Sequence, residues 1–92
     1  MGWFSRYISG TTDKIRLGRH LGLFYVQIDK YSVNGRAYTL TLYYTHYIVQ
    51  KEVFYLDSIE EAKGKALSWA KEILNNEVRK IEDIEAEEVL CA

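Results

Sequence analysis

Residues 23–46 read LFYVQIDKYSVNGRAYTLTLYYTH, two tyrosine-rich apolar runs joined at Asn34-Gly35. Asn and Gly both tolerate positive φ, which a type I′ turn requires at its two central residues, and the twist of that turn matches paired strands. The stretch therefore predicts a β-hairpin with a two-residue turn. Such a turn sets Tyr31 opposite Tyr38, Asp29 opposite Leu40, Gln27 opposite Leu42 and Tyr25 opposite Tyr44. On this register Tyr25, Tyr31, Tyr38 and Tyr44 share one face, while Phe24, Val26, Ile28, Ala37, Thr39, Thr41 and Tyr43 occupy the other. Both faces are then partly apolar, and something is expected to cover each of them.

Downstream, the apolar run continues through Tyr47-Ile48-Val49 and Val53-Phe54-Tyr55-Leu56, which is too long for one strand. A break near Thr45-His46 or at Gln50-Lys51-Glu52 leaves a third strand ending near Leu56. Ser58 and Glu61 then form an S-x-x-E capping box, with acids in the first turn where the helix dipole favours them. Ile59, Ala62, Ala66, Ala70, Ile73 and Leu74 fall on one stripe, which should dock on the sheet. Asn75-Asn76 frames the end of that helix, because Asn tolerates the left-handed conformation of a carboxyl cap. Val78, Ile81 and Ile84 fit further helix over 77–85, and 86–92 reads as an acidic tail.

Upstream, Lys14, Arg16, Arg19 and His20, punctuated by Gly18 and Gly22, read as a connector or ragged edge strand. Trp3, Phe4, Tyr7 and Ile8 recur at helical spacing before the turn formers Ser9-Gly10-Thr11-Thr12 and make a short arm whose aromatics are expected to pack on the domain, the alternative being an exposed Trp3-Phe4 pair at an interface. The expected fold is α+β: a three-stranded antiparallel sheet, one long amphipathic helix from Ser58, a short N-terminal arm and an acidic C-terminal tail. All 92 residues make a single small domain with a core over 14–76 and an acidic segment over 77–92.

Apolar residues are 48% and charged residues 27% of the chain, a balance that folds rather than staying disordered. Cys91 is the only cysteine, so no intrachain disulfide or thiolate metal centre can form, and a reducing, cytoplasmic compartment fits. No apolar run reaches the roughly 20 residues that span a bilayer, so no membrane role is expected. Net charge is −1, but the first 56 residues sum to +4 and the rest to −5. Such asymmetry marks either a basic face and an acidic tail or, in one compact domain, opposite charges that face each other across the fold.

His20 and His46 are the only histidines, with no H-x-x-x-H or C-x-x-C spacing, and no Ser, Thr or Cys has a recognisable base beside it. Gly18-Arg19-His20-Leu21-Gly22 matches neither a Walker loop nor a dinucleotide fingerprint. The sequence thus points away from an enzyme and implies no metal or cofactor. Eight tyrosines remain to be explained. Tyr25, Tyr31, Tyr38 and Tyr44 form either the rim of the core or a partner-binding face, since tyrosine anchors protein interfaces through a rigid ring with a polar tip. Lys14, Arg16, Arg19, Lys30 and Arg36 make the candidate nucleic-acid patch.

Three antiparallel strands followed by a helix that begins Leu56-Asp57-Ser58-Ile59-Glu60-Glu61-Ala62-Lys63 resemble two kinds of small protein of phages and mobile elements. One is the arm-type DNA-binding domain of tyrosine integrases and the related AP2 domain; the other is the compact anti-defence inhibitor, such as an anti-CRISPR. The likeness covers residues 23–76, rests on element order and the helix start, and transfers no functional residue. It implies a non-catalytic binding module that inhibits a host protein complex in the host cytosol, or else a small nucleic-acid-binding domain. A pI near 6.1 and the sparse basic residues of the sheet favour the protein partner. A second copy of the chain, docked on the partly apolar second sheet face, is a further expected partner.

Overall fold

A computed structural model describes residues 2–6, 15–31 and 35–91. Five strands, β1 (Phe4–Arg6), β2 (Ile15–Leu21), β3 (Phe24–Lys30), β4 (Ala37–Tyr44) and β5 (Tyr47–Tyr55), precede one helix, α1 (Ile59–Cys91). The strands form a single antiparallel sheet in sequence order, β1-β2-β3-β4-β5. The fold is α+β as expected, but the sheet has five strands rather than three. The basic connector is β2, an interior strand, and the arm supplies β1. Ile15, Leu17 and Leu21 alternate with Arg16, Gly18 and His20, so β2 carries a two-residue period that Gly18 and Arg19 blur.

Pairing between β3 and β4 differs by one residue from the two-residue turn. Tyr25 faces Tyr43, Gln27 faces Thr41, Ile28 faces Leu40 and Asp29 faces Thr39. An odd number of residues therefore links the strands; Asn34 itself lies outside the described residues. A one-residue slip transfers every β4 side chain to the opposite face. With it the alternation becomes clean: Val26, Ile28, Tyr38, Leu40 and Leu42 all enter the core. Gln27, Asp29, Thr39 and Thr41 point the other way.

Two other hairpins do have two-residue loops, at Gly22-Leu23 between Leu21 and Phe24 and at Thr45-His46 between Tyr44 and Tyr47. In each the first loop residue has positive φ, 64° at Gly22 and 54° at Thr45. A bulge shifts the β4–β5 register after Leu42, leaving Val49 as the extra residue on β5.

Ser58 caps α1. The Glu61 N–H donates to Ser58 Oγ at 3.1 Å, and Glu61 Oε2 accepts from the Asp57 N–H at 3.0 Å, so the box closes one residue earlier than the usual reciprocal bond. Ala62, Ala66, Trp69, Ala70 and Ile73 are buried against β3 and β4. Small alanines let the helix axis approach the strands, and Trp69 closes the flank toward β5. No break occurs at Asn75-Asn76: the segment expected as short helix plus tail is one uninterrupted helix to Cys91. From Asn75 to Val89 every residue is exposed. The helix is 33 residues, about 50 Å at a 1.5 Å rise, against about 30 Å for the longest strand. Its second half overhangs the sheet and gives the molecule its 59 Å long axis.

Candidate partner-binding surface

The face of the sheet turned away from α1 carries three cross-strand rows. Arg16, Asp29, Thr39 and Val53 make the first; Phe4, Gly18, Gln27, Thr41 and Lys51 the second; His20, Tyr25, Tyr43 and Ile48 the third. Asp29 is 2% exposed although no helix covers it. Both its carboxylate oxygens are satisfied: Arg16 Nε donates to Oδ1 at 2.6 Å and Gln27 Nε2 to Oδ2 at 2.9 Å. That carboxylate is what raises the Arg16 pKa further above its ordinary value, through the hydrogen bond first and against the opposing effect of burial. The pair is structural, because a buried carboxylate without a partner is strongly unfavourable.

Above this polar floor stands an aromatic wall. Phe4 and His20 stack at 5.7 Å between centroids, His20 and Tyr25 lie 5.0 Å apart, and Tyr25 and Tyr43 lie 6.0 Å apart. Gly18 makes room for it: a Cβ there would collide with the Tyr25 ring and hydroxyl. The strand glycine is the seat of the Tyr25 ring. Phe4, Tyr25, Tyr43, Arg16, Gln27 and His46 line a hollow of about 660 Å³ beside this wall.

The aromatic row runs on into β5, the long edge of the sheet. Among the described residues β5 pairs only with β4, and none of them covers the other side of its backbone. Tyr47, Ile48, Val49, Val53 and Tyr55 are all exposed, Tyr47 and Tyr55 by about three quarters. On the helix side, Trp69 Nε1 donates to Glu52 at 2.9 Å, the Phe54 ring meets Trp69 edge-on at 6.3 Å, and the Lys65 ammonium lies 4.7 Å from the Phe54 ring centre. These contacts hold the edge strand in place without covering its free side.

The four expected face tyrosines do not come together. Tyr25 and Tyr31 lie on the open face, whereas Tyr38 is 2% exposed under the helix and Tyr44 packs on Phe24 on the helix side. The two-residue turn had placed them together, and the one-residue shift of register separates them. Nor do the four described basic residues of the expected patch converge. Arg16 is engaged by Asp29, Arg19 shares the helix side with Leu17, and Lys30 lies over the Tyr38 ring at 5.2 Å. Arg36 pairs with Asp57 at the far end, and Lys14 lies outside the described residues. The residues that sequence reasoning passed over are Phe4, His20, Tyr43 and the β5 edge. Tyr43 was hidden by the register, while the density of large apolar residues on a strand with a Gln-Lys-Glu centre was a visible sign of an edge.

Among the described residues no cluster of His, Cys, Asp and Glu could hold a metal ion, and no helix is long and apolar enough to cross a membrane. No family model matches the chain, no curated protein matches its sequence, and no solved structure matches its fold.

Proposed function

We propose that this chain is a non-catalytic protein-binding module that receives an extended segment of its partner along β5. The observation that carries this is the nine-residue edge strand, with an open backbone side and five exposed large apolar residues. Open edges template pairing with another chain, and here the usual safeguards, Lys51, Glu52 and the bulge at Val49, interrupt a strand whose two ends stay apolar. Main-chain bonds along such an edge supply affinity, and alternate side chains supply specificity. Ile48, Val53 and Tyr55 would meet the partner on the open face, next to the aromatic row that ends in Tyr43.

The likeness in plan to compact anti-defence inhibitors makes a protein complex of a phage's host the first partner class to test. Duplex recognition has less support, because Arg16 and Lys30 are engaged by Asp29 and Tyr38, Arg36 is paired with Asp57 on the exposed surface and Arg19 is turned to the helix side. The test is affinity capture from host lysate with the wild type and with an Ile48→Lys, Val53→Lys double variant. Loss of the captured protein at an unchanged melting temperature supports the edge. Capture that survives the lysines but fails with Tyr25→Ala moves the interface to the open face, and salt-sensitive binding of labelled DNA in its place overturns the reading.

A further inference from the structure

Tyr47, Ile48 and Val49 stand at one end of β5, Val53, Phe54 and Tyr55 at the other, and Gln50-Lys51-Glu52 between them, so the strand has nearly the same pattern in both directions. Its two central charges go to opposite faces. Glu52, paired with Leu40, points to the helix side and accepts from Trp69 Nε1 at 2.9 Å. Lys51, paired with Thr41, points to the open face and is exposed. Asp29, the carboxylate of the open-face rows, is taken up by Arg16 and Gln27 and offers Lys51 nothing. Lys51 thus has no ion-pair or hydrogen-bond partner among the described residues. It is an uncompensated positive charge in the middle of an apolar edge, with Ile48 and Val53 beside it on the same face.

Taking β5 as the docking edge, we propose that Lys51 sets the chemistry of its occupant: the extended partner segment carries an aspartate or glutamate opposite Lys51, flanked on the same face by apolar residues opposite Ile48 and Val53. Side chains directly opposite each other on paired strands lie about 5 Å apart, close enough for an acid to neutralise Lys51 and for a second lysine to repel it. The same charge excludes a second copy. Antiparallel pairing of β5 with itself about a two-fold axis at Lys51 sets Gln50 on Glu52, Phe54 on Tyr47 and, once the extra residue Val49 is passed over, Val53 on Ile48. Apolar residues then match apolar residues, but Lys51 meets Lys51. Moving the axis to Glu52 opposes two carboxylates and lays Lys51 on Val53, and moving it to Gln50 lays Lys51 on Ile48 and Glu52 on Tyr47. A segment with an acid at the central place meets none of these obstacles. One lysine therefore guards the edge against self-pairing and selects the partner.

The test uses the full chain and three end-blocked, fluorescently labelled peptides of the strand's length, alternating valine and threonine with valine at both ends and Glu, Gln or Lys at the centre. Anisotropy should rank them Glu, Gln, Lys from tightest to weakest, with about tenfold between the first and the last at low salt and a smaller gap at high salt. Lys51→Glu should invert the order, and the Ile48→Lys, Val53→Lys double variant should lose the Gln peptide. In light scattering Lys51→Val should associate more strongly than the wild type, and adding Val53→Lys should reverse the gain. Equal binding of the three peptides, or an order that Lys51→Glu leaves unchanged, would overturn the role of Lys51 while the edge itself stands. Failure of all three to bind would overturn the edge and this proposal with it, and a Lys51→Val variant no more associated than the wild type would overturn the exclusion of a second copy.

Discussion

Thr45 holds a φ of 54°, a conformation that crowds a β-branched side chain against its own backbone. Gly22 occupies the equivalent place in the β2–β3 hairpin at 64° without that penalty. Replacing Thr45 by Gly removes the strain, partly offset by the greater freedom of glycine in the unfolded chain, and should stabilise the protein by about 1 kcal/mol. In a domain of this size that is a rise of about 4 to 8 °C in a thermal melt. A lower melting temperature would mean that the Thr45 side chain makes a contact worth more than the strain. Arg16 presents the opposite case. It is the charge partner of a carboxylate 2% exposed, so Arg16→Met leaves Asp29 buried and uncompensated. Because Arg16 is itself one-third exposed and water can reach the site, the expected loss is about 1 to 3 kcal/mol in urea denaturation, less than for a fully enclosed pair. Arg16→Lys should recover only part of it, since an ammonium cannot reproduce the directed Nε–H bond.

At the level of elements, the helix start is legible in its local residues, whereas the strand register and the helix end are not: Asn75-Asn76 reads as a carboxyl cap, yet α1 runs through it to Cys91, and the helical spacing of the arm gives way to strand β1. The helix start at Ser58 is a local hydrogen-bond motif, and the end of β5 is set by Asp57-Ser58; both stand as expected. The strand register is not local. Asn34-Gly35 favours a two-residue turn, but a two-residue turn here would leave Leu40 and Leu42 on the opposite face from Val26 and Ile28. Burying Val26, Ile28, Leu40 and Leu42 on one face outweighs the preference of one dipeptide, at about 1.5 to 3 kcal/mol for each large side chain buried. The poor alternation of the two-residue register was itself the clue. The same holds for the site: eight tyrosines drew attention to the sheet, while their division between core and surface depended on that one residue. Docking of α1 offers a direct check of the packing. Ala66 is fully buried between helix and sheet, so Ala66→Leu forces the axis outward and should cost roughly 1 to 3 kcal/mol in a denaturant melt. An unchanged midpoint would show that the helix does not approach the strands at Ala66.

On the scale of the whole molecule, one rigid body and one projecting rod share a single continuous helix. The sheet and the first half of α1 enclose the entire buried core, from Leu17 to Ile73. Among the described residues none beyond Leu74 belongs to it or packs against it, so the backbone hydrogen bonds of the rod are protected chiefly by the helix itself. Native-state hydrogen exchange should divide α1 accordingly. Amides of Ala62 to Ile73 should open only with the global unfolding of the domain, together with those of β3 and β4, whereas amides of Val78 to Val89 should open by fraying at far smaller free energy. Charge sharpens the contrast, since acids crowd the negative end of the rod and, among the described residues, only Glu77 and Lys80 brace it with an ion pair, itself exposed and worth little. Uniform protection along the whole helix in dilute solution would contradict this account, for it would require tertiary contacts on a segment whose side chains from Asn75 to Val89 all face water.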